Sequence, residues 1–351
     1  MSPTPRPPVR FGIWALVHGS RGAYGDPDEP YDASWARNRA LIIEAERLGF
    51  DLTLLAQHTM NPRDDQLDEL EPWTACAALA ALTTRIELVA AIKPLLYHPV
   101  VLAKLALQIE QLSGGRFAIN LVNAWNRDEL ERAGIAFPAH DQRYAYGREW
   151  LEIVERLLRG ARVHHDGPHF HVRDYVLRPA SSWRARPRIY VGGESEPARS
   201  LVAALGDVWF INGRPLAMLR PLIADLAARP RTPAAPEPLR FGLSAFVIAR
   251  ETSAEAHAHH ARLLRLSEED AHRQARARNT DPEVAMHKAL AHIRHVGTNG
   301  GTAAELVGSY DEVADKMRAF VDAGIDTFML QFQPFERDMR DFAAHVMPRV
   351  R

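Results

Sequence analysis

The chain has 351 residues, with 43 lysines and arginines against 44 aspartates and glutamates, and a net charge of −1. Such a chain lacks the basic excess of a general nucleic-acid-binding protein, and its 46% hydrophobic and 25% charged residues exclude an intrinsically disordered protein. Its single cysteine, Cys76, excludes an internal disulfide and a metal site built on several cysteines, and it fits a reducing compartment.

The N-terminus and the hydropathy pattern bear on localisation. Residues 1–10 carry four prolines and no apolar stretch, which predicts a flexible tail rather than a signal peptide. No apolar run reaches the roughly 18 residues that are needed to cross a bilayer. We therefore expect a cytoplasmic protein that contacts no membrane.

Strand and helix patterns alternate along the first third of the chain. Residues 11–17 form a continuous apolar run, which is typical of a strand covered on both faces. Asp32 is the predicted N-cap of a helix that continues to Leu48. Further strands are predicted over 50–55, 86–90 and 117–122, and a helix over 72–82. Pro99 opens another helix, which ends before Gly114 and in which Val101, Leu105, Ile109 and Leu112 recur at the spacing of a helix.

The alternation continues in the second half of the chain. A helix is predicted over 144–158, followed by a hairpin over 163–172 that turns at Asp166-Gly167. A charged, histidine-rich helical insertion from about 253 to 310 precedes the last strand, and we expect it to act as a lid. The other elements of this half are strands over 188–191, 207–211, 241–249 and 326–330, and helices from 197 and over 216–228.

These patterns amount to eight strands, each followed by a helix. Eight such units close into a (β/α)8 TIM barrel in which helices cover a parallel sheet. We therefore predict an α/β fold in which residues 11–351 form a single barrel domain with insertions. The alternative is an open doubly wound sheet, but its G-x-G-x-x-G signature is absent after the first strand, where the sequence reads VHGSRG.

Polar residues follow the predicted strands, where a barrel of this kind carries its active site. They are rich in amides, imidazoles and aromatic rings and poor in paired carboxylates, which argues against glycoside hydrolysis and favours a flat, polar-edged aromatic ligand. Asn120 lies inside an apolar strand, where a buried amide needs hydrogen-bonding partners that a cofactor could supply. Taken alone, His58 could equally be structural, and the loop Gly192–Ser195 could be a turn with an N-cap or a phosphate site at a helix start.

Two groups of histidines raise the question of a metal site. The spacing of these histidines matches no known zinc-binding motif. We therefore interpret them as solvated surface and predict no metal site. Cys76 lies in an apolar helix pattern and is expected to be a small buried hydrophobe rather than a nucleophile. The histidine groups comprise His164, His165, His169 and His171 around the hairpin, and His257, His259 and His260 in the insertion.

The segment from Ser113 to Trp125, SGGRFAINLVNAW, resembles a motif of the bacterial-luciferase-like, FMN-dependent monooxygenases. The same family is matched by HDQRY, which ends at Tyr144, and by RIYVGGES, which ends at Ser195. The alkanesulfonate, dimethylsulfone and pyrimidine monooxygenases are the most similar groups. The resemblance extends from about residue 11 to residue 348.

The resemblance implies a luciferase-like barrel that binds reduced FMN, supplied by a separate NAD(P)H:flavin reductase, and uses O2 to oxygenate a small molecule. It also implies a homodimer or homotetramer. By motif match, the implied catalytic residues are His18, His58, Asn120 and Trp125. The implied cofactor-binding residues are Gln57, His58, Asn120, Glu129, Arg143, Tyr144, Gly193 and Ser195. Arg143 carries a fixed fork of donors that suits a phosphate.

Departures from the sulfonate enzymes bear on the substrate. Ser244 and Phe246 stand where those enzymes have arginine and histidine, and Gln333 and Phe335 where they have tyrosine and histidine. A sulfonate anion needs cationic or strong donor partners, so we expect a neutral substrate. We also expect Phe246, Phe332 and Phe335 to make its pocket partly apolar.

Four functions stay open at this point. The first is an FMNH2-dependent monooxygenase that cleaves a C–S bond in a small neutral organosulfur compound. The second is the same chemistry on a nitrogen heterocycle, as in the pyrimidine enzyme. The third is a deazaflavin (F420)-dependent hydride-transfer oxidoreductase, and the fourth is flavin binding without catalysis. The motifs around Asn120 and Arg143 favour the first two over the third.

Overall fold

Apolar strands and helices alternate along the chain in the computed structural model, which describes residues 7–269 and 285–351 apart from positions 21, 24, 30 and 236. Residues 1–6 of the predicted tail and residues 270–284 of the predicted insertion lie outside the described residues. Residues 7–9 lead directly into the first strand.

Eight of the described strands are parallel and close into a barrel, in the order β1-β12-β9-β8-β7-β4-β3-β2. This confirms the predicted TIM barrel, and the alternative of an open sheet is wrong because β1 pairs with both β2 and β12. The barrel strands are β1 (Arg10–Trp14), β2 (Leu52–Leu55), β3 (Glu87–Ile92), β4 (Phe117–Leu121), β7 (Arg188–Gly192), β8 (Val208–Ile211), β9 (Arg240–Phe246) and β12 (Thr327–Gln331). Outside the barrel lie an antiparallel hairpin of β5 (Val163–Asp166) and β6 (His171–Tyr175) and a parallel pair of β10 (Ile248–Arg250) and β11 (Val307–Ser309).

Helices follow the barrel strands and cover the sheet from outside. None of the described helices combines the length and the apolar character that crossing a bilayer requires. The helices are α1 (Trp35–Arg47), α2 (Pro72–Leu82), α3 (Pro99–Ser113), α4 (Arg127–Arg132), α5 (His140–Leu158), α6 (Glu196–Leu205), α7 (Leu216–Ala228), α8 (Ser253–Glu268), α9 (Ala285–Leu290), α10 (Tyr310–Asp322), α11 (Phe335–Asp341) and α12 (Met347–Val350).

A charged cluster closes the amino-terminal end of the barrel. Glu87, at the start of β3, pairs with Arg10 of β1 and with Arg188 of β7, whose Nη1 lies 2.8 Å from Glu87 Oε2. Arg10 also donates to the Tyr190 hydroxyl at 3.2 Å. Burial raises the pKa of Glu87, but the two guanidinium groups outweigh it and hold that pKa below its usual value. Because this end is filled, the opposite end is the one that can admit a ligand.

Several predicted boundaries differ from the observed ones because of local hydrogen bonds. Ser34 caps α1, because its side chain accepts a hydrogen bond from Arg37 N. Asp32, the predicted cap, instead accepts from Ser34 N in the turn before the helix. The predicted strand over 241–249 is two strands, because the chain leaves the barrel at Val247 and β10 pairs with β11 instead.

The helix predicted from Pro99 is observed as α3, but the four apolar positions whose spacing predicts it do not all face the core. Ile109 is buried, but Val101, Leu105 and Leu112 are 53%, 39% and 49% exposed. The helix is apolar on two sides, and its inward side is formed by neighbouring positions such as Leu102 and Leu107. Apolar spacing alone identifies a stripe on a helix but does not say which of two stripes meets the core.

Candidate active site

A pocket opens at the carboxyl ends of the barrel strands. Its cavity volume is about 180 Å³, and a cavity of about 150 Å³ already admits a benzene ring. Most of the predicted site residues line this pocket, namely His18, Gln57, His58, Asn120, Trp125, Arg143, Tyr144 and Gly193. Glu129 and Ser195 are the two predicted residues that lie beside it rather than on its wall.

Glu129 is fully buried and its carboxylate is shared among several donors. One oxygen lies 3.1 Å from His58 Nδ1 and 2.5 Å from Lys93 Nζ. The other accepts from the Thr59 backbone N–H at 2.8 Å. Burial raises the pKa of Glu129, but the contacts with His58 and Lys93 outweigh it and lower that pKa to about 2. Both carboxylate oxygens are therefore engaged by neighbouring residues and orient the His58 ring, while the implied cofactor-binding role of Glu129 stays a prediction.

One end of the pocket is rich in hydrogen-bond donors. Arg143 is nearly buried, donates from Nη1 to the Pro138 carbonyl at 2.7 Å and lies 4.1 Å above the centre of the Phe137 ring. Such a guanidinium is held in place by its surroundings and suits an anion. Tyr144 follows it on the first turn of α5 and also lines the pocket.

The loop between β7 and α6 lies against this end. Gly193 has φ +110°, and a Cβ there would lie 2.7 Å from the Tyr144 hydroxyl, so only glycine fits this close approach. Ser195 starts α6, and its buried hydroxyl has no hydrogen-bond partner among the described residues. A helix start with an unpaired hydroxyl is a place where an anionic group such as a phosphate can bind.

The middle of the pocket carries amides and rings. The Asn120 Oδ1 atom is buried and no described residue hydrogen-bonds it, so the expectation that a ligand edge completes this amide stays a prediction. Gln57 is held by its Oε1, which accepts from the Lys93 backbone N–H at 2.7 Å. The His58 ring makes edge contacts with Trp125 at 5.6 Å and with His18 at 5.9 Å between ring centres.

The far wall is formed by residues that the sequence analysis did not single out as binding residues. Trp14 and Phe210 supply rings, and Asn212 supplies an amide. Thr298 and Asn299 reach the pocket from the Gly-rich end of the insertion. Gln331 holds this loop, because its side chain accepts from Thr298 N at 3.1 Å and donates to Thr298 O at 3.0 Å.

The expectation that three phenylalanines line the pocket is wrong. Phe332 and Phe335 are buried in the main core, and Phe246 packs in a smaller cluster with the insertion. Gln333 is buried too, and its amide donates to Ala23 O at 2.9 Å instead of reaching a ligand.

Lys93 directly follows β3 and is not among the site residues that the resemblance implies. It lines the pocket, is buried, and contacts both Glu129 and His58. A lysine at the carboxyl end of a barrel strand is the signal that could have identified it. For Thr298 and Asn299 no such signal exists, because they reach the site only through the packing of a long insertion.

The described residues contain no group of three or more histidine, cysteine, aspartate or glutamate side chains that could hold a metal ion. Of the three histidines in the insertion, His257 is exposed as expected, but the other two are not solvated surface. His259 Nε2 lies 2.8 Å from the Gln333 carbonyl and His260 Nε2 lies 3.0 Å from Thr302 Oγ1, and both rings are half-buried. Cys76 is fully buried, as predicted, and burial raises the pKa of its thiol.

Comparisons with known proteins agree with this arrangement. The family model for luciferase-like monooxygenases matches residues 9–327. An FMNH2-dependent dimethylsulfone monooxygenase from Pseudomonas putida is 28% identical over 98% of this chain and 96% of its own. A protein of the same name from Pseudomonas fluorescens (strain Pf0-1) is 29% identical over 98% of this chain and 94% of its own.

Solved structures share the fold. The long-chain alkane monooxygenase LadA has a TM-score of 0.79 at 19% identity, covering 97% of this chain and 91% of its own. DmoA from Hyphomicrobium sulfonivorans has a TM-score of 0.78 at 19% identity, covering 98% and 88%. At such identity these structures support the barrel and its insertions and nothing finer.

Proposed function

Because this chain belongs to the luciferase-like monooxygenase family, we propose that it is an FMNH2- and O2-dependent monooxygenase acting on a small, neutral organosulfur compound. One observation carries the proposal. Arg143, which suits an anion, and Asn120, whose buried Oδ1 has no hydrogen-bond partner among the described residues, line the same pocket. A flavin mononucleotide needs both, since it has a phosphate at one end and a polar-edged ring at the other.

The donor set at the first end fits the phosphate. Arg143, Tyr144 and the Ser195 hydroxyl supply charged and neutral donors, and the bare backbone at Gly193 leaves space for a close approach. Charge-assisted hydrogen bonds of this kind are about twice as strong as neutral ones. These residues therefore bind and orient the cofactor through its tail.

Asn120, Gln57 and His58 fit the ring. Asn120 presents an acceptor that has no described partner, and His58 presents the nitrogen that is not engaged by Glu129. The bound flavin supplies the oxygen chemistry. The protein's part is to hold the ring against Trp125, to keep the imidazole in one orientation, and to exclude water from the closed end of the pocket.

The walls opposite this end favour a neutral substrate. Of the described residues that line the pocket, Lys93 and Arg143 are the ones with lysine or arginine side chains. Lys93 is paired with Glu129, and Arg143 belongs to the phosphate end. Trp14, Phe210 and Asn212 therefore offer apolar contact and neutral hydrogen bonds but no cation for a sulfonate. The two dimethylsulfone relatives lead us to place organosulfur compounds first.

The proposed reaction needs a partner that supplies the reduced cofactor. We expect an NAD(P)H:flavin reductase to deliver FMNH2, which carries two electrons from NAD(P)H. For a sulfone, one atom of O2 then enters the substrate, the C–S bond breaks to leave a sulfinate and a carbonyl compound, and the other oxygen atom leaves as water. A nitrogen heterocycle is the second candidate, because the aromatic walls and the Asn212 amide also suit a flat ring with polar edges.

The decisive experiment combines the purified protein with a flavin reductase, NAD(P)H, FMN and ¹⁸O2, and screens sulfones, sulfonates and pyrimidines by mass spectrometry. Product labelling is the readout because free FMNH2 consumes O2 without any enzyme. We expect a labelled product from a sulfone, and none when the protein or the reductase is omitted. Labelled pyrimidine product would select the second candidate, and turnover with reduced deazaflavin alone would overturn the proposal.

A further inference from the structure

Lys93 is unusual in this chain for its residue type and for its position. Four of the 43 basic residues are lysines, so the protein uses arginine almost everywhere that it needs a positive charge. Lys93 is buried, with 3% of its side chain exposed, and it lies at the carboxyl end of β3 on the pocket wall. An ammonium is smaller than a guanidinium and presents its donors around a single atom.

The Lys93 ammonium faces two groups at once. It lies 2.5 Å from Glu129 Oε2 and 3.3 Å from His58 Nδ1, while the same carboxylate oxygen lies 3.1 Å from His58 Nδ1. The three groups therefore form a closed triangle. His58 Nδ1 cannot donate to Glu129 and accept from Lys93 at the same time. The charges of Glu129 and Lys93 therefore decide whether Nδ1 carries a hydrogen.

With Glu129 ionised and Lys93 protonated, Nδ1 carries the hydrogen and donates it to Glu129. A second proton on the ring would place a positive charge beside the ammonium, which Coulomb repulsion opposes. Burial raises the pKa of Glu129, but the contacts with His58 and Lys93 lower it to about 2, so the carboxylate is ionised. Burial lowers the pKa of the Lys93 ammonium, and the Glu129 carboxylate 2.5 Å away opposes that shift. Of the other groups near His58, the His18 ring packs edge-on against it, and Glu69 acts on Lys93 through its charge.

We propose that Lys93 is a positioning residue that keeps His58 neutral, with its hydrogen on the Nδ1 atom that faces Glu129 Oε2. Glu129 fixes the orientation of the ring, and Lys93 cancels the positive charge that Glu129 would otherwise draw onto it. His58 can then accept a proton on Nε2 during turnover. This consequence rests on the proposed function, whereas the charge state of His58 in the ligand-free protein does not.

The test is a titration of the histidine rings in the full-length protein without flavin. Protein labelled with ¹⁵N-histidine is recorded by long-range ¹H–¹⁵N correlation between pH 5 and 9, and His58 is assigned from the spectrum of His58→Gln. In the wild type we expect neutral His58 with a protonated Nδ1 at pH 7. In Lys93→Met the midpoint of the His58 titration should rise by about one pH unit or more. Without the nearby cation, the Glu129 carboxylate alone acts on the ring and favours its protonated form.

Two further variants keep the outcome decisive. Glu129→Gln leaves Lys93 facing the ring, so the midpoint of the His58 titration should fall. This opposite shift tests the inference if Lys93→Met does not fold. Lys104→Met removes the ammonium of an exposed lysine on α3, and His58 should be unchanged. A His58 midpoint that stays the same in folded Lys93→Met, or a wild-type ring protonated on Nε2 alone, would overturn the inference while leaving the monooxygenase assay untouched.

Discussion

Asn120 and Ser195 each bury a polar atom that no described residue hydrogen-bonds. A buried polar atom without a partner costs about 1–3 kcal/mol, and native proteins keep such atoms mainly where a ligand or water completes them. The two atoms belong to the middle and to the donor-rich end of the same pocket region. At the scale of single residues, they are the strongest sign that the pocket binds an extended polar ligand.

The Arg143 guanidinium is the residue on which the proposed phosphate site depends most. Replacing it by alanine removes charge-assisted hydrogen bonds, so we expect affinity for reduced FMN to fall by about 1.5–3 kcal/mol, or roughly 10- to 150-fold. Anaerobic titration of the protein with reduced FMN measures this directly. We also expect reduced FMN to bind more tightly than oxidised FMN.

Arg148 provides the matched control for this variant. It lies on the same helix, α5, but its side chain is 48% exposed and pairs with Glu152. Arg148→Ala should leave flavin affinity unchanged. Equal affinities for Arg143→Ala and Arg148→Ala would show that the guanidinium at 143 does not hold the phosphate.

Glu129 gives the protein a pH dependence with a definite sign. Its pKa is lowered to about 2 in the folded state, so its contribution to stability is complete above the ordinary value near 4.5 and is lost as the pH falls toward 2. Compared with Glu129→Gln, the wild type should be more stable by on the order of 3 kcal/mol at pH 6–7. Urea unfolding of both proteins at several pH values measures the difference, and a difference that does not shrink below pH 4.5 contradicts this assignment.

Much of the site could be predicted residue by residue from the sequence. Asn120, Arg143 and Gly193 belong to local motifs whose place relative to a strand can be predicted from the sequence. All three line the pocket. Lys93 and Glu129 were harder, because the ion pair between them joins two segments 36 residues apart. A one-dimensional pattern identifies a charged residue near a strand end, but it does not show which other charge it meets.

The turn between β7 and α6 is the element that shapes the phosphate end. At Gly193 a Cβ would lie 2.7 Å from the Tyr144 hydroxyl and 2.9 Å from Ala198 Cβ, and the backbone has a positive φ. Gly193→Ala should therefore displace both the turn and Tyr144, and we expect at least a tenfold loss of flavin affinity together with a destabilisation of about 1–3 kcal/mol.

Gly134→Ala separates backbone strain from contact with the site. Gly134 also has a positive φ, but a Cβ there meets no atom within 4 Å. This variant should lose some stability and retain its flavin affinity. Should Gly193→Ala bind reduced FMN as tightly as Gly134→Ala does, the turn would not be part of the binding site. Both variants are compared by thermal unfolding and by anaerobic titration.

Local sequence signals predicted which helices and strands exist, but they did not predict which side of each element faces the core. Pro72 and Leu82, and Leu216 and Ala228, bound helices that match the predictions residue for residue. The inward side of α3 could not be predicted, because α3 has two apolar sides and only packing against α5 and α2 selects one. The break at Val247 depends on pairing with β11, which lies about 60 residues later in the chain.

The outer face of α3 bears on the assembly of the whole molecule. Val101, Leu105 and Leu112 lie one above another on this helix and are all substantially exposed. Exposed apolar surface of this kind marks association sites, and we expect the chain to form a homodimer or a larger homo-oligomer through this face. Val101→Glu should weaken the association, which sedimentation velocity measures.

A control for this expectation comes from another exposed apolar residue. Met218 on α7 is 37% exposed and lies away from α3 in the sequence. Met218→Glu should sediment like the wild type. A wild-type protein that stays monomeric at micromolar concentration would contradict the expectation altogether.

Closure of the barrel was predictable from the count of strand and helix units, whereas the completion of the pocket was not. The wall at Thr298 and Asn299 depends on Gln331 and on Gly300, where a Cβ would lie 2.0 Å from the Gly213 carbonyl. Such contacts between the insertion and the barrel arise only once the whole chain has folded. The lid function of the insertion therefore stays a prediction.

We propose that one pocket holds a flavin, with its phosphate at Arg143 and its ring edge at Asn120. A crystal structure of the protein soaked with FMN would locate both ends of the cofactor. We expect phosphate oxygens within hydrogen-bonding distance of the Arg143 guanidinium and the Ser195 hydroxyl, and the isoalloxazine edge at the Asn120 side chain. FMN density elsewhere, or a pocket closed by side chains with Arg143 turned to solvent, would contradict it.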